Sequence, residues 1–250
     1  MAGTAFIIPD INLSGYGLLR VMPPVPVFDN QLAGCWLFGS AWDGADDAGS
    51  DWSGNALDAS VAGCTIGATS VTPTAAAYPL LPIKPNDLLN GGQQMTIMIV
   101  VTVPAGTVTT VPLIAANEGG ASPYVQLLAL PGADTVRAQN VTSSGNAQGD
   151  YLYTAADVEL HATMYHCRWD NAAMKVKPGV VTGGIVKNSD VTVAYAGTGN
   201  GYFRLARTAS AAFCPVHACF AYHGALTDSQ IVEVYAAFKE LAADYGLAVA

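Results

Sequence analysis

The sequence predicts an all-β domain of the sandwich or jelly-roll kind, followed by one C-terminal amphipathic helix and preceded by an extended N-terminal arm. Three observations carry this. Between residues 32 and 223, short apolar and β-branched runs alternate with turn signals such as Glu118-Gly119-Gly120, Asp170-Asn171 and Gly183-Gly184, at the spacing of short antiparallel strands. No strand–helix–strand rhythm and no internal repeat is evident in them. Helical periodicity enters only afterwards, where Ile231, Tyr235, Phe238, Leu241, Ala242 and Tyr245 fall on one stripe.

Residues 1–31 form the arm. Ile7-Ile8-Pro9 and Pro23-Pro24-Val25-Pro26-Val27 hold the backbone extended and remove ladder donors, which excludes a central strand. The arm is still apolar, through Phe6, Ile11, Leu13, Leu18, Leu19 and Met22 among others, so it is expected either to wrap its own domain or to dock on a neighbouring subunit. The domain proper is 32–250. Cys35-Trp36-Leu37-Phe38 reads as its opening strand. Gln94–Val103 is apolar on both alternating faces and reads as a central strand buried on both sides. Further strands are expected at Val111–Ala116, Tyr124–Leu130, Asp134–Gln139, His161–Trp169, Ala173–Lys177, Val180–Val186, Val191–Tyr195, Tyr202–Ala206 and Cys214–Tyr222. Thr227-Asp228-Ser229-Gln230 is a capping box that starts a helix over 228–245, with Gly246 as its C-cap.

Composition narrows the function. Of the 250 residues, 51% are hydrophobic and 12% charged, the latter about half the usual quarter. Part of such a surface is expected to be hidden in contacts between subunits, making a homo-oligomer the natural state. The formal net charge is −9 and no cluster of Lys or Arg occurs beyond the pair Lys175 and Lys177, which argues against nucleic acid and against an anionic membrane surface. No apolar run is long enough for membrane insertion. Five widely spaced cysteines read as buried thiols made in a reducing compartment. The start, MAGTAFIIPD, shows no basic segment before an apolar core, so no signal peptide is expected and synthesis in the cytoplasm is.

Three stretches carry a resemblance. Trp36-Leu37-Phe38 followed by Asp51-Trp52-Ser53-Gly54-Asn55, the hairpin-like Met164–Lys177 around Asp170-Asn171, and Phe220–Ile231 at the end together resemble laminin-G-like, concanavalin-A-like lectin and glucanase jelly-roll domains, as found in bacteriophage virion proteins. The resemblance covers roughly residues 33–246. It implies two packed antiparallel sheets with the first and last strands close together. It also implies a fold whose members often bind glycans, sometimes with calcium, and are often only architectural.

The chemistry-bearing residues cluster in the loop after the opening strand. Asp43, Asp46, Asp47, Asp51 and Asp58 lie close together with no Lys or Arg between Arg20 and Lys84. Hard cations want several oxygen ligands, so Asp43, Asp46, Asp47 and Asp51 are the candidate calcium set, against the plainer reading of a solvated acidic loop. Trp42, Trp52 and Asn55 have the stacking and hydrogen-bonding chemistry of a glycan site, against the reading that the indoles pin the loop to the sandwich. A catalytic set is not seen. Asp157-Val158-Glu159 lacks the third carboxylate of a glucanase strand. Cys214, His217 and Cys219 miss the usual zinc spacing, and strand alternation puts Cys214 on the face opposite the other two. Gly197–Gly201 reads as a hairpin turn rather than a nucleotide loop.

The expectation is therefore a non-enzymatic structural protein of a bacteriophage virion, a capsid decoration or a tail or baseplate component, held to other virion proteins through its arm. A glycan-binding module for attachment to the host surface is the alternative, and a polysaccharide hydrolase or lyase the third reading. No cofactor other than calcium is implied.

Overall fold

The structure is a computed structural model. It describes residues 24–29, 31–43, 48–89, 94–104, 106–107, 109–116, 124–142, 145–153, 161–170, 172–173, 175–189, 191–192, 201–206 and 213–250. The strands begin with β1 (Leu32–Leu37), β2 (Thr65–Ile66), β3 (Val71–Thr72), β4 (Gln94–Thr102) and β5 (Val111–Ala115). They continue with β6 (Tyr124–Leu130), β7 (Thr135–Thr142), β8 (Gly145–Leu152), β9 (Ala162–Asp170) and β10 (Lys175–Thr182). The last are β11 (Ile185–Asn188), β12 (Val191–Thr192), β13 (Arg204–Leu205) and β14 (Val216–His223). Two short helices, α1 (Ser40–Asp43) and α2 (Pro85–Leu89), precede the long α3 (Asp228–Asp244).

The strands form two antiparallel sheets. A nine-stranded sheet runs β11-β10-β9-β4-β14-β3-β2, with β1 also paired to β14 and β12 to β10; a five-stranded sheet runs β13-β5-β6-β7-β8. β1 and β14 pair in register Trp36↔Cys219 and Leu37↔Ala218, so the first and last strands are adjacent, as the resemblance implied. The hairpin around Asp170 is also formed, with Lys175 opposite Asp170 across β9 and β10.

Two apolar layers result, one on each face of the large sheet. Between the sheets, Trp36, Phe38, Ile97, Ile99, Val101, Leu127, Val136, Tyr165, Trp169 and Phe203 form one core. On the opposite face Leu37, Met98, Val100, Met164, Phe220 and Tyr222 meet Ile231, Val234, Tyr235 and Phe238 of α3. β4 is therefore buried along Met95–Val101, because odd and even side chains each find an apolar layer. The α3 capping box is formed: Thr227 Oγ1 accepts the N–H of Gln230, and the Gln230 side chain accepts the N–H of Thr227. Gly246 follows at φ 74°, which favours glycine. The end of the arm seats on this face too. Val25 is buried, the Tyr222 hydroxyl donates to Pro26 O over 2.7 Å, and Phe28 lies 5.9 Å from the Tyr222 ring.

Some expectations need correction. Val180–Val186 is not one strand; it is the β10–β11 hairpin turning at Gly183 and Gly184, both at positive φ. Ser143–Asn146 is expected as a turn only, yet β8 starts at Gly145, because a polar edge strand carries no apolar alternation to reveal it. Finally, β14 has a bulge between Val216 and Ala218. The extra residue inverts the alternation, so Cys214, Val216 and Cys219 all face the inter-sheet core.

Candidate functional site

The loop after β1 is built around one carboxylate. β1 lies against β14 along one edge, and its other edge meets residues 51–57. Asp51 Oδ1 accepts from the N–H of Cys35 at 3.0 Å and of Ser53 at 2.9 Å. Its Oδ2 accepts from the Ser53 hydroxyl at 2.7 Å and the Leu57 N–H at 3.1 Å. Four donors use the lone pairs of a carboxylate that is 1% exposed. Asp58 Oδ1 in turn accepts the Asp51 N–H at 2.8 Å, and Trp52 N–H donates to Cys35 O at 2.6 Å. The Asp51-Trp52-Ser53-Gly54-Asn55 turn is thus an Asx turn locked to a strand.

The expected ligand residues fall into place around it. Asn55 Nδ2 donates to Leu32 O and Ala33 O, at 3.2 and 3.0 Å. These carbonyls sit where β1 bulges between Leu32 and Gly34, so the amide satisfies groups that the ladder leaves over. Trp42 is 7% exposed, donates Nε1–H to Phe38 O at 3.1 Å, and lies 4.4 Å from the Tyr245 ring at the end of α3. Trp52 is half-buried against the helix-side core. Trp42, Trp52 and Asn55 accordingly all pack or bond against the sandwich and help to hold the loop in place. Of the candidate calcium ligands, Asp46, Asp47 and the Asp43 side chain lie outside the described residues. Asp51, the described member of that set, spends both oxygens on the four protein donors above. Among the described residues no three His, Cys, Asp or Glu side chains are placed to hold a metal. Asp157, Glu159 and Gly197–Asn200 also lie outside them.

The titratable core groups are structural. Burial pushes the Cys214 thiol up to about 12, raises Cys219 further, and pushes the half-buried Cys64 up to about 11, so none is a nucleophile near neutrality. The five cysteines are free thiols. His217 joins Thr102 Oγ1 at 2.9 Å to Thr69 O at 2.7 Å, and burial lowers its pKa. His166 is fully buried, and desolvation first, then the nearby Arg168 charge, push it down to about 3. It is a neutral imidazole at physiological pH.

A second site was not anticipated. A pocket of about 560 Å³ opens on the helix side of the large sheet, where β9 and β10 meet the start of α3. Arg168, Lys175 and Lys177 line it together with Asp170, Thr227 and Asp228. Lys175 and Lys177 flank the core-facing Val176, so alternation turns both to the helix side. Arg168 has a side chain only 7% exposed; its Nη1 donates to Leu226 O at 3.0 Å. Its Nη2 lies 2.7 Å from Asp228 Oδ1, but the contact is off the line that a hydrogen bond needs, and Nε has no partner among the described residues. The loop beneath is held by Thr96, whose hydroxyl donates to Gly224 O at 2.8 Å and accepts the Leu226 N–H at 2.9 Å. One arginine in a largely buried strand, facing two lysines across a tight turn, is the sequence signal that could have located this pocket.

The geometry can be compared with known proteins. No protein-family model and no curated protein matches the chain. Solved structures do. Trypanosoma rangeli sialidase matches with TM-score 0.56 at 15% identity, over 88% of this chain and 34% of that one. The botulinum neurotoxin serotype D binding domain matches with TM-score 0.61 at 9% identity, over 83% and 51%. The chain is a β-sandwich of the jelly-roll kind. A structure of botulinum neurotoxin type C, described as entering cells through interaction with two ganglioside molecules, matches with TM-score 0.58 at 6% identity, over 82% and 50%. The chain thus spans a third to a half of the length of these chains, and the likeness is one of fold.

Proposed function

We propose that the chain is a non-enzymatic jelly-roll module of the concanavalin-A-like type that serves as a structural component of a bacteriophage virion, on its capsid, tail or baseplate. The observation that supports this reading is how the carboxylates of the opening loop are used. Asp51 and Asp58 hold β1 and its turn together, and the bidentate pair Arg137–Asp150 ties β7 to β8 at 2.6 and 2.8 Å. The low charge and the apolar arm supply the assembly surfaces. The arm's end, 25–28, is already packed on the sheet, which leaves residues 1–23 as the segment that reaches other subunits.

The test is removal of residues 1–23 from the full chain. The truncated protein keeps its fold by circular dichroism and loses higher-order assembly by sedimentation, and it drops out of particles assembled in its presence. A truncated form that assembles as the full chain does would overturn the proposal.

A second reading, attachment to a host surface glycan, is supported by the fold neighbours whose descriptions name a sialidase and an interaction with gangliosides. The unassigned basic pocket favours it as well. A glycan array probed at high protein concentration, with and without millimolar calcium, tests it; an array without hits would remove this reading.

A further inference from the structure

We infer that the pocket at the start of α3 is a binding site for a carboxylate-bearing small molecule of sugar-acid size, in which the Asp228 side chain acts as a displaceable stand-in for the ligand's carboxylate. The inference goes beyond the virion reading and holds whether or not the chain assembles.

Arg168 carries the argument. An arginine side chain presents its Nε and Nη2 groups as a parallel pair of donors matched to a carboxylate. Elsewhere in this molecule that edge is used in full: Arg137 Nε and Nη2 grip both oxygens of Asp150. The same edge of Arg168 is buried and makes no hydrogen bond among the described residues. Only Asp228 approaches it, by a single oxygen at 2.7 Å, from a side chain that is 60% exposed. A buried guanidinium whose Nε has no partner among the described residues, and whose Nη2 has only this off-line ion pair, is costly unless a better-placed carboxylate meets both. Asp228 can swing to solvent, leaving Asn188 Nδ2 at 3.3 Å as the other contact it gives up.

The surroundings favour an anion. Arg168, Lys175 and Lys177 bring three of the ten Lys and Arg residues of a chain with net charge −9 to one pocket. Asp170 is the other carboxylate there, and both of its oxygens are engaged, by Gln94 Nε2 at 2.7 Å and Ala173 N–H at 2.9 Å. The pocket lies at the N-terminus of a 17-residue helix, which adds about half a positive charge. The cap hydroxyl of Thr227 takes the N–H of Gln230, so the first-turn N–H groups of Asp228 and Ser229 are the helix donors left for a ligand. A volume of about 560 Å³ exceeds what a bare carboxylate fills and suits a monosaccharide or its near relatives. Ala225 and Leu226 supply an apolar wall, and Ser229 with the two lysines a polar rim.

The experiment titrates the full chain with glucuronate and with N-acetylneuraminate, with galactose and inorganic phosphate as comparisons, by calorimetry and by amide chemical shifts in 15N-labelled protein. The expected result is binding of a sugar acid with shifts at Asp228 and Ser229, absent with galactose and weaker with phosphate. Arg168→Gln should weaken it at least about ten-fold. Asp228→Asn removes the competing carboxylate and should tighten binding about three-fold or more. The Asp228 variant lies on the surface and stays informative even if Arg168→Gln fails to fold. Equal binding of galactose, tighter binding of phosphate, no binding of either acid, or an affinity unchanged in Asp228→Asn would each overturn the inference.

Discussion

Replacing Asp51 tests the organisation of the opening loop most directly. Its carboxylate accepts from Cys35 N–H, Ser53 N–H, Ser53 Oγ–H and Leu57 N–H, between 2.7 and 3.1 Å. An Asn at this position keeps one acceptor oxygen and turns an NH2 group toward two of the donors. Each donor left unmet inside the protein costs about 1–3 kcal/mol, so Asp51→Asn should lose about 3 kcal/mol of stability. Asp51→Ala releases all four donors and should lose about 5 kcal/mol, less than the sum of four separate losses because the freed turn can relax toward water. Urea unfolding followed by tryptophan fluorescence reads this as a lower midpoint with an unchanged slope. Two results would refute the reasoning. A loss under about 1 kcal/mol in the Ala variant would mean that the carboxylate does not organise the strand. A rise in the midpoint of the parent protein on adding millimolar calcium, abolished in Asp51→Asn, would return Asp51 to an ion site.

Other perturbations follow from the packing. Phe238 is fully buried and meets Phe220 edge-on at 5.6 Å, so Phe238→Ala should cost about 3–5 kcal/mol in the same assay. A Cβ on Gly34 would collide with the Trp36 ring; Gly34→Ala should destabilise by about 1–3 kcal/mol and disturb near-ultraviolet dichroism. His166 is neutral in the fold, with its pKa pushed down to about 3, whereas an unfolded histidine titrates near 6.5. The unfolded state therefore binds the extra proton. The stabilisation is complete above about pH 6.5 and lost as pH falls toward 3, at up to about 1.4 kcal/mol per pH unit. Burial lowers His217 in the same direction. Subtracting the stability curve of His166→Met isolates the His166 part; a difference that stays flat between pH 7 and 5 would contradict its burial as a neutral group.

The sequence made the skeleton legible where local chemistry and tertiary packing agree. The capping box at Thr227, the doubly apolar β4 and the pairing of the opening strand with β14 could all be anticipated. The site was harder to read, because composition does not say which way a carboxylate points. Asp51 and Asn55 look like ligands in one dimension; the backbone groups they satisfy, at Cys35, Leu32 and Ala33, lie up to 23 positions away. The basic pocket was hidden for the opposite reason. Its members come from β9, β10 and the turn before α3, and no window along the chain contains them all. The bulge in β14 defeated a parity argument that was sound for a regular strand.

The place of β14 has a consequence for how the molecule is made. It is inserted between β4 and the pair β1 and β3, so the middle of the large sheet is filled by a strand that is synthesised after all the other described strands. Until residues 216–244 are available, β1 has no neighbour in the sheet and β4 exposes one open edge. The apolar face that α3 covers is bare as well. Such long-range closure folds slowly and leaves a sticky intermediate. Shortening the chain within α3 should therefore lower soluble yield far more than the same number of residues removed before Pro24, which solubility after expression of matched truncations would measure.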